Sequence, residues 1–135
     1  MTLIICLDDN NGMLFNKRRQ SMDSAVRDRI LEQCQEHVLC MNHYSANQFL
    51  QQENINICES MASIKNMNCW YFLENEDPSG YMMYVDRVYV YRWNREYPAD
   101  VYFPFNELIG DRMPESVFHF PGNSHTLITE EVYYL

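Results

Sequence analysis

The sequence predicts an α/β fold, a three-layer sandwich around a mostly parallel sheet that closes with an antiparallel C-terminal hairpin. Three observations predict it. Thr2–Leu7 and His37–Met41 are short, largely apolar runs without alternation, as in strands buried on both faces. A segment of helical period lies between them, giving a β-α-β unit with two parallel strands and a right-handed crossover. Beyond residue 85 the patterns are strand-like, and the last two runs are joined by a turn.

Each element has a local reason. Leu3-Ile4-Ile5-Cys6-Leu7 is stopped by Asp8-Asp9-Asn10-Asn11-Gly12, a run of turn formers. Met13–Ser21 reads as a polar loop. Asp23 or Ser21 suits the cap of a helix running to about Glu36, with Ala25, Val26, Ile30 and Cys34 on its inner face and Arg27, Asp28 and Glu32 toward water. Tyr44–Gln51 reads as a short second helix, Ile55–Cys58 as a short strand and Glu59–Asn66 as one or two helical turns. Cys69–Leu73 is another buried strand. Glu74–Gly80 is an acidic loop that turns at Asp77-Pro78-Ser79-Gly80. In Asp86–Trp93, Val88, Val90 and Arg92 share one face, and Arg87, Tyr89, Tyr91 and Trp93 the other. Ser116–Phe120 and Ser124–Tyr134 flank Pro121-Gly122-Asn123 and read as a hairpin. With no internal repeat or low-complexity linker, the 135 residues form a single domain, 1–135.

Charge narrows the function classes. Ten basic and nineteen acidic residues give a net charge of −9. Residues 1–36 hold five basic and six acidic groups, and residues 37–135 hold five and thirteen. Such a chain has no general electrostatic footprint for nucleic acid. A local basic patch suits a small anion, and the acidic body suits a basic protein surface or serves solubility alone. The longest apolar runs, Leu3–Leu7 and Val38–Met41, fall far short of the ~20 residues of a membrane helix. No basic leader or small-residue cleavage site is visible, so a cytoplasmic, reducing setting is expected, with the five cysteines unpaired. Cys34, His37, Cys40 and His43 offer four ligand types at steps of three. The run crosses from a helix end into a strand, where the side chains diverge, and no metal is expected.

The densest polar cluster is Arg18, Arg19, Gln20 and Ser21. Two guanidinium forks beside an amide and a hydroxyl can clamp a phosphate, a carboxylate or a partner's acid. They can equally form a salt-bridged loop, pairing Arg19 with Asp8 or Asp23. Asn42 and Ser45 follow the second parallel strand, where they border the same cleft or simply cap a helix. Glu74 and Asp77 line the next strand end, where they are placed to pair with the arginines. His119 and His125 in the closing hairpin are expected to be structural or exposed, and no Ser-His-Asp triad is assigned. The stripe Tyr89, Tyr91 and Trp93 is either core or, if left uncovered, a protein or homodimer interface.

Three stretches resemble dihydrofolate reductase. Leu3–Met13 is similar to that family's opening strand and Asn-Gly-Ile loop. Val38–Met41 followed by Asn42-His43-Tyr44-Ser45 stands where its Gly-Arg-x-Thr helix start follows a strand. Val85-Asp86-Arg87-Val88-Tyr89-Val90 and Ala99-Asp100-Val101-Tyr102-Phe103-Pro104 resemble its Ala-Asp-Arg-Leu-Tyr-Leu and Gly-Asp-Thr-Tyr-Phe-Pro segments. The resemblance implies a dihydrofolate reductase-like fold, shortened in the middle. It also places Asp23 at the acid that engages the pterin, unless Asp23 is only a helix-terminal acid.

The departures imply a different job. Lys17–Ser21 replaces the family's Leu-Pro-Trp loop, Asn42-His43 replaces Gly-Arg, and Leu73-Glu74 replaces a Gly-Gly that lets a pyrophosphate approach a helix N-terminus. The expected function is therefore a non-enzymatic binding module without a cofactor. Its ligand is a protein partner, or a small anion held by Arg18, Arg19, Gln20, Ser21, Asp23, Asn42 and Ser45. Size and charge also suit an inhibitor carried by a mobile element, such as an anti-defence or anti-CRISPR protein. The alternative is a folate- or nucleotide-type enzyme using Asp23. Gly12–Asp23 further resembles a Gly-Met-Leu-Phe-Asn-x-Arg-Arg-Gln-Ser-x-Asp motif in short proteins of gut Firmicutes, some labelled ribonuclease Z. An RNA-processing role rests on that label alone, because its His-x-His-x-Asp-His metal motif is absent.

Overall fold

The computed structural model describes residues 1–49 and 54–135. The chain runs β1 (Thr2–Leu7), β2 (Gly12–Phe15), β3 (Arg18–Arg19), α1 (Ser24–Gln33), β4 (Leu39–Met41), α2 (His43–Ala46) and β5 (Ile55–Ile57). It continues through β6 (Trp70–Phe72), β7 (Arg87–Arg92), β8 (Val101–Tyr102), α3 (Phe105–Leu108), β9 (Ser116–Phe120) and β10 (Ile128–Tyr134). Two 3-10 turns, Met61–Ile64 and Ser79–Tyr84, precede β6 and β7.

The continuous apolar run of β1 places it near the centre of a seven-stranded sheet of order β5-β4-β6-β1-β7-β10-β9. β5, β4, β6, β1 and β7 pair in parallel, whereas β10 and β9 are antiparallel. This is the predicted α/β architecture. The alternation in β7 sorts its residues as expected. Val88 and Val90 join Leu3, Ile5, Leu7 and Tyr71 beneath Met13, Phe103 and Ile109. Tyr89, Tyr91 and Trp93 join Ile4, Phe72, Ile128 and Val132 beneath Val26 and Ile30 of α1. A buried network pins that helix to the sheet. The Arg29 fork donates to Glu130 at 2.8 and 3.1 Å, and the Tyr91 hydroxyl donates to the same carboxylate at 2.8 Å.

Several boundaries differ from the sequence reading. Met13–Ser21 is a hairpin, not a loop: β2 and β3 pair around Asn16 and Lys17, whose φ values of 54° and 63° suit a two-residue hairpin turn. Lys17 stands where such turns favour Gly, which hides the signal. α1 ends at Gln33 rather than Glu36. The helix expected over Tyr44–Gln51 is one turn, His43–Ala46, and the part of that segment from residue 50 lies outside the described residues. β10 begins at Ile128, because the chain before it covers the start of α1. β8 and α3 lack any clear periodicity; β8 adds to β2 to form a three-stranded sheet of order β3-β2-β8.

Candidate functional site

The C-terminal ends of the parallel strands carry most of the buried polar groups. Asp23 is the N-cap of α1, with its backbone extended and its side chain accepting from the Ala25 N–H at 2.9 Å. The loop between β9 and β10 folds over it. Asn123 N donates to Oδ1 at 2.9 Å, and Ser124 N, Ser124 Oγ and His125 N donate to Oδ2 at 2.9, 3.1 and 3.1 Å. His125 Nδ1 lies 2.9 Å from the same oxygen. Gly122 must be glycine, since a Cβ there would come within 2.6 Å of Asp23 Oδ2. Burial alone would raise the Asp23 pKa. The Asn123 N–H, the His125 ring and the Ala25 and Ser124 N–H groups outweigh it and hold the carboxyl well below the usual carboxylate range.

The far side of the His125 ring faces two hydroxyls. Nε2 lies 3.2 Å from Ser21 Oγ and 2.8 Å from the Tyr97 hydroxyl. Trp93 stacks on the ring at 4.6 Å. His125 is thus buried at the centre of a network, not exposed in a hairpin. The residue type alone carries no sign of this, because Ser21 and Asp23 lie about a hundred positions away.

The arginine cluster is divided. Arg18 is exposed. Arg19 donates through Nε and an Nη to Glu74 at 2.9 and 3.1 Å, donates to the Tyr44 carbonyl and stacks over the Tyr44 ring. Its partner is Glu74, not Asp8 or Asp23. Gln48 also donates to Glu74, at 3.0 Å. Gln20 instead donates to Asp8, whose carboxylate accepts from the backbone of Asn10, Gly12 and Tyr97. Burial opposes ionisation of Asp8, but the donors led by the Gly12 N–H prevail and hold its pKa down. Arg19, Gln20 and Ser21 are thus each held by a separate internal partner, Glu74, Asp8 and His125.

Asn42 caps α2 through Oδ1 to the Ser45 N–H, and its amide donates to Asn75 and Glu76. Glu76 also accepts from the Met61 N–H and the Tyr71 hydroxyl. Ser45 Oγ is buried and unpartnered among the described residues, as is Gln20 Oε1. Asp77 accepts from the Ser79 N–H and pairs with no arginine among the described residues. Tyr89, Tyr91 and Trp93 are 8%, 1% and 3% exposed, so the aromatic stripe is core and not an interface. α1 covers it.

No family model and no curated protein matches the chain. A dihydrofolate reductase from Enterococcus faecalis, solved with NADP(H) and RAB-propyl, superposes with a TM-score of 0.66 at 10% identity, over 98% of this chain and 94% of that one. The fold is that of dihydrofolate reductase. In this reductase fold the resemblance places a glycine pair at the end of β6, where this chain has Leu73 and Glu74. Leu73 is 1% exposed and packed in the core. Glu74 points its carboxylate at Arg19, so the nearest fork for a phosphate is already neutralised. Glu74, Glu76 and Asp77 add negative charge beside it. A dinucleotide pyrophosphate does not fit these residues.

Proposed function

We propose that this chain is a protein-binding module on a reductase scaffold, taking an extended basic segment of its partner at the edge strand β9. One observation carries the reading. β9 ends the large sheet, and its apolar side chains Val117 and Phe118 are 50% and 46% exposed. An edge strand of this kind is a template for adding one more strand, with main-chain bonds giving affinity and side chains giving specificity. The net charge of −9 opposes self-pairing and favours a Lys- or Arg-rich partner. Inhibition of a basic defence protein is one form such binding takes.

Two features weigh against the alternatives. Arg19 is engaged by Glu74, which disfavours a small anion there, and Asp23 is saturated by donors, which disfavours a folate-type proton transfer. The test is hydrogen exchange on the full chain with an extended peptide of alternating Val and Lys. New protection confined to Ser116–Phe120, lost in Phe118→Lys, supports the reading. Unchanged β9 amides, or protection at α2 and Glu74 instead, overturns it.

A further inference from the structure

We propose that Ser21, His125 and Asp23 form a nucleophile, base and orienting acid able to transfer the acyl group of a small carboxylic ester to Ser21. The inference is independent of the edge-strand reading and rests on the relative placement of three side chains. His125 Nδ1 is 2.9 Å from Asp23 Oδ2, and His125 Nε2 is 3.2 Å from Ser21 Oγ. These are the two hydrogen bonds that define such a relay on any fold.

The supporting contacts fix the ring and its tautomer. Asp23 Oδ2 is an ionised acceptor, so the proton of the neutral imidazole sits on Nδ1 and Nε2 is left as the acceptor. Trp93 stacked at 4.6 Å and the His125 N–H bound to Asp23 hold the ring in that orientation. The side chains of His125 and Asp23 are 2% and 0% exposed, whereas Ser21 is only partly covered. The base is therefore shielded and the nucleophile reachable.

The chemistry balances without a cofactor. Ser21 Oγ attacks the ester carbonyl carbon as its proton passes to His125 Nε2. Nε2 has one lone pair, for which the Tyr97 hydroxyl at 2.8 Å competes with Ser21, so the bound ester must draw that hydroxyl away before the proton moves. That hydroxyl, 3.5 Å from Ser21 Oγ, is then free to donate to the developing oxyanion. Collapse of the tetrahedral adduct breaks the bond to the alcohol, which leaves with the proton from Nε2. Water, deprotonated by the same nitrogen, then attacks the acyl-serine, and Nε2 returns that proton to Ser21 Oγ as the acid leaves. Asp23 stays ionised throughout.

The test treats the full chain with diisopropyl fluorophosphate and, separately, with p-nitrophenyl acetate, and maps adducts by peptide mass. The expected result is one adduct per chain on Ser21, none on Ser21→Ala, and labelling at least about 100-fold slower in His125→Gln, as loss of a general base dictates. If His125→Gln does not fold, the pH profile of the unaltered chain decides. Labelling at Ser21 that rises with pH and then levels off, as a general base dictates, supports the relay. Labelling that follows only free hydroxide, an adduct at another residue or no adduct overturns it, leaving a structural clamp.

Discussion

Replacing Asp23 with Asn keeps the side chain's shape and removes its charge. Six donors converge on the carboxylate: Ala25 N and Asn123 N on one oxygen, and Ser124 N, Ser124 Oγ, His125 N and His125 Nδ1 on the other. An amide has one acceptor and one donor end. With its oxygen placed toward the four donors, its NH₂ faces the N–H groups of Ala25 and Asn123 and leaves both unpaired. Each stranded donor costs roughly 1–3 kcal/mol, and the partial exposure of Asn123 favours the lower half, so we expect a loss of about 2–4 kcal/mol. This is roughly 6–15 °C in Tm for a domain of this size. Urea unfolding followed by tryptophan fluorescence measures it, with Trp93 on His125 reporting the site directly. A loss below about 1 kcal/mol would refute the claim that Asp23 holds the β9–β10 loop onto α1.

Acid should weaken the fold in a defined direction. The pKa values of Asp23 and Asp8 are lowered on folding, so the unfolded chain binds more protons at low pH. Their contribution is complete above the ordinary carboxylate range near ~4 and declines as pH falls below it; Asp23→Asn should flatten that acid limb, and an unchanged limb would contradict it. Glu74→Ala strands the Arg19 fork and the Gln48 amide, and calorimetry should show about 1.5–3 kcal/mol of destabilisation. Arg18→Ala, at an exposed side chain, should change stability by less than about 0.5 kcal/mol. Burial pushes the Cys34 and Cys40 thiols up to about 12, so both should resist alkylation at pH 8 until urea unfolds the chain.

The strands that the sequence reveals are those whose burial is continuous or strictly alternating. β1 has Leu3, Ile4 and Ile5 in one run, and β7 alternates valine with tyrosine, so pattern alone fixes their faces. The β2–β3 hairpin is hidden because β3 is only Arg18–Arg19, too short for a period, and its turn uses Lys17. The candidate site is legible in its members but not in its pairings. Ser21 and Asp23 stand out from composition. Their partner His125 is more than a hundred positions away and is brought in by the loop that Gly122 permits. Likewise the Arg19–Glu74 pair joins strand ends that adjoin only once β1 and β6 are parallel.

The end of β6 is filled by buried Leu73 and by the Glu74 carboxylate paired with Arg19. Titration of the full chain with NADPH by calorimetry, with thermal shift in parallel, measures this directly. No saturable heat and no rise in Tm are expected. Saturable micromolar binding with a matching rise in Tm would contradict this.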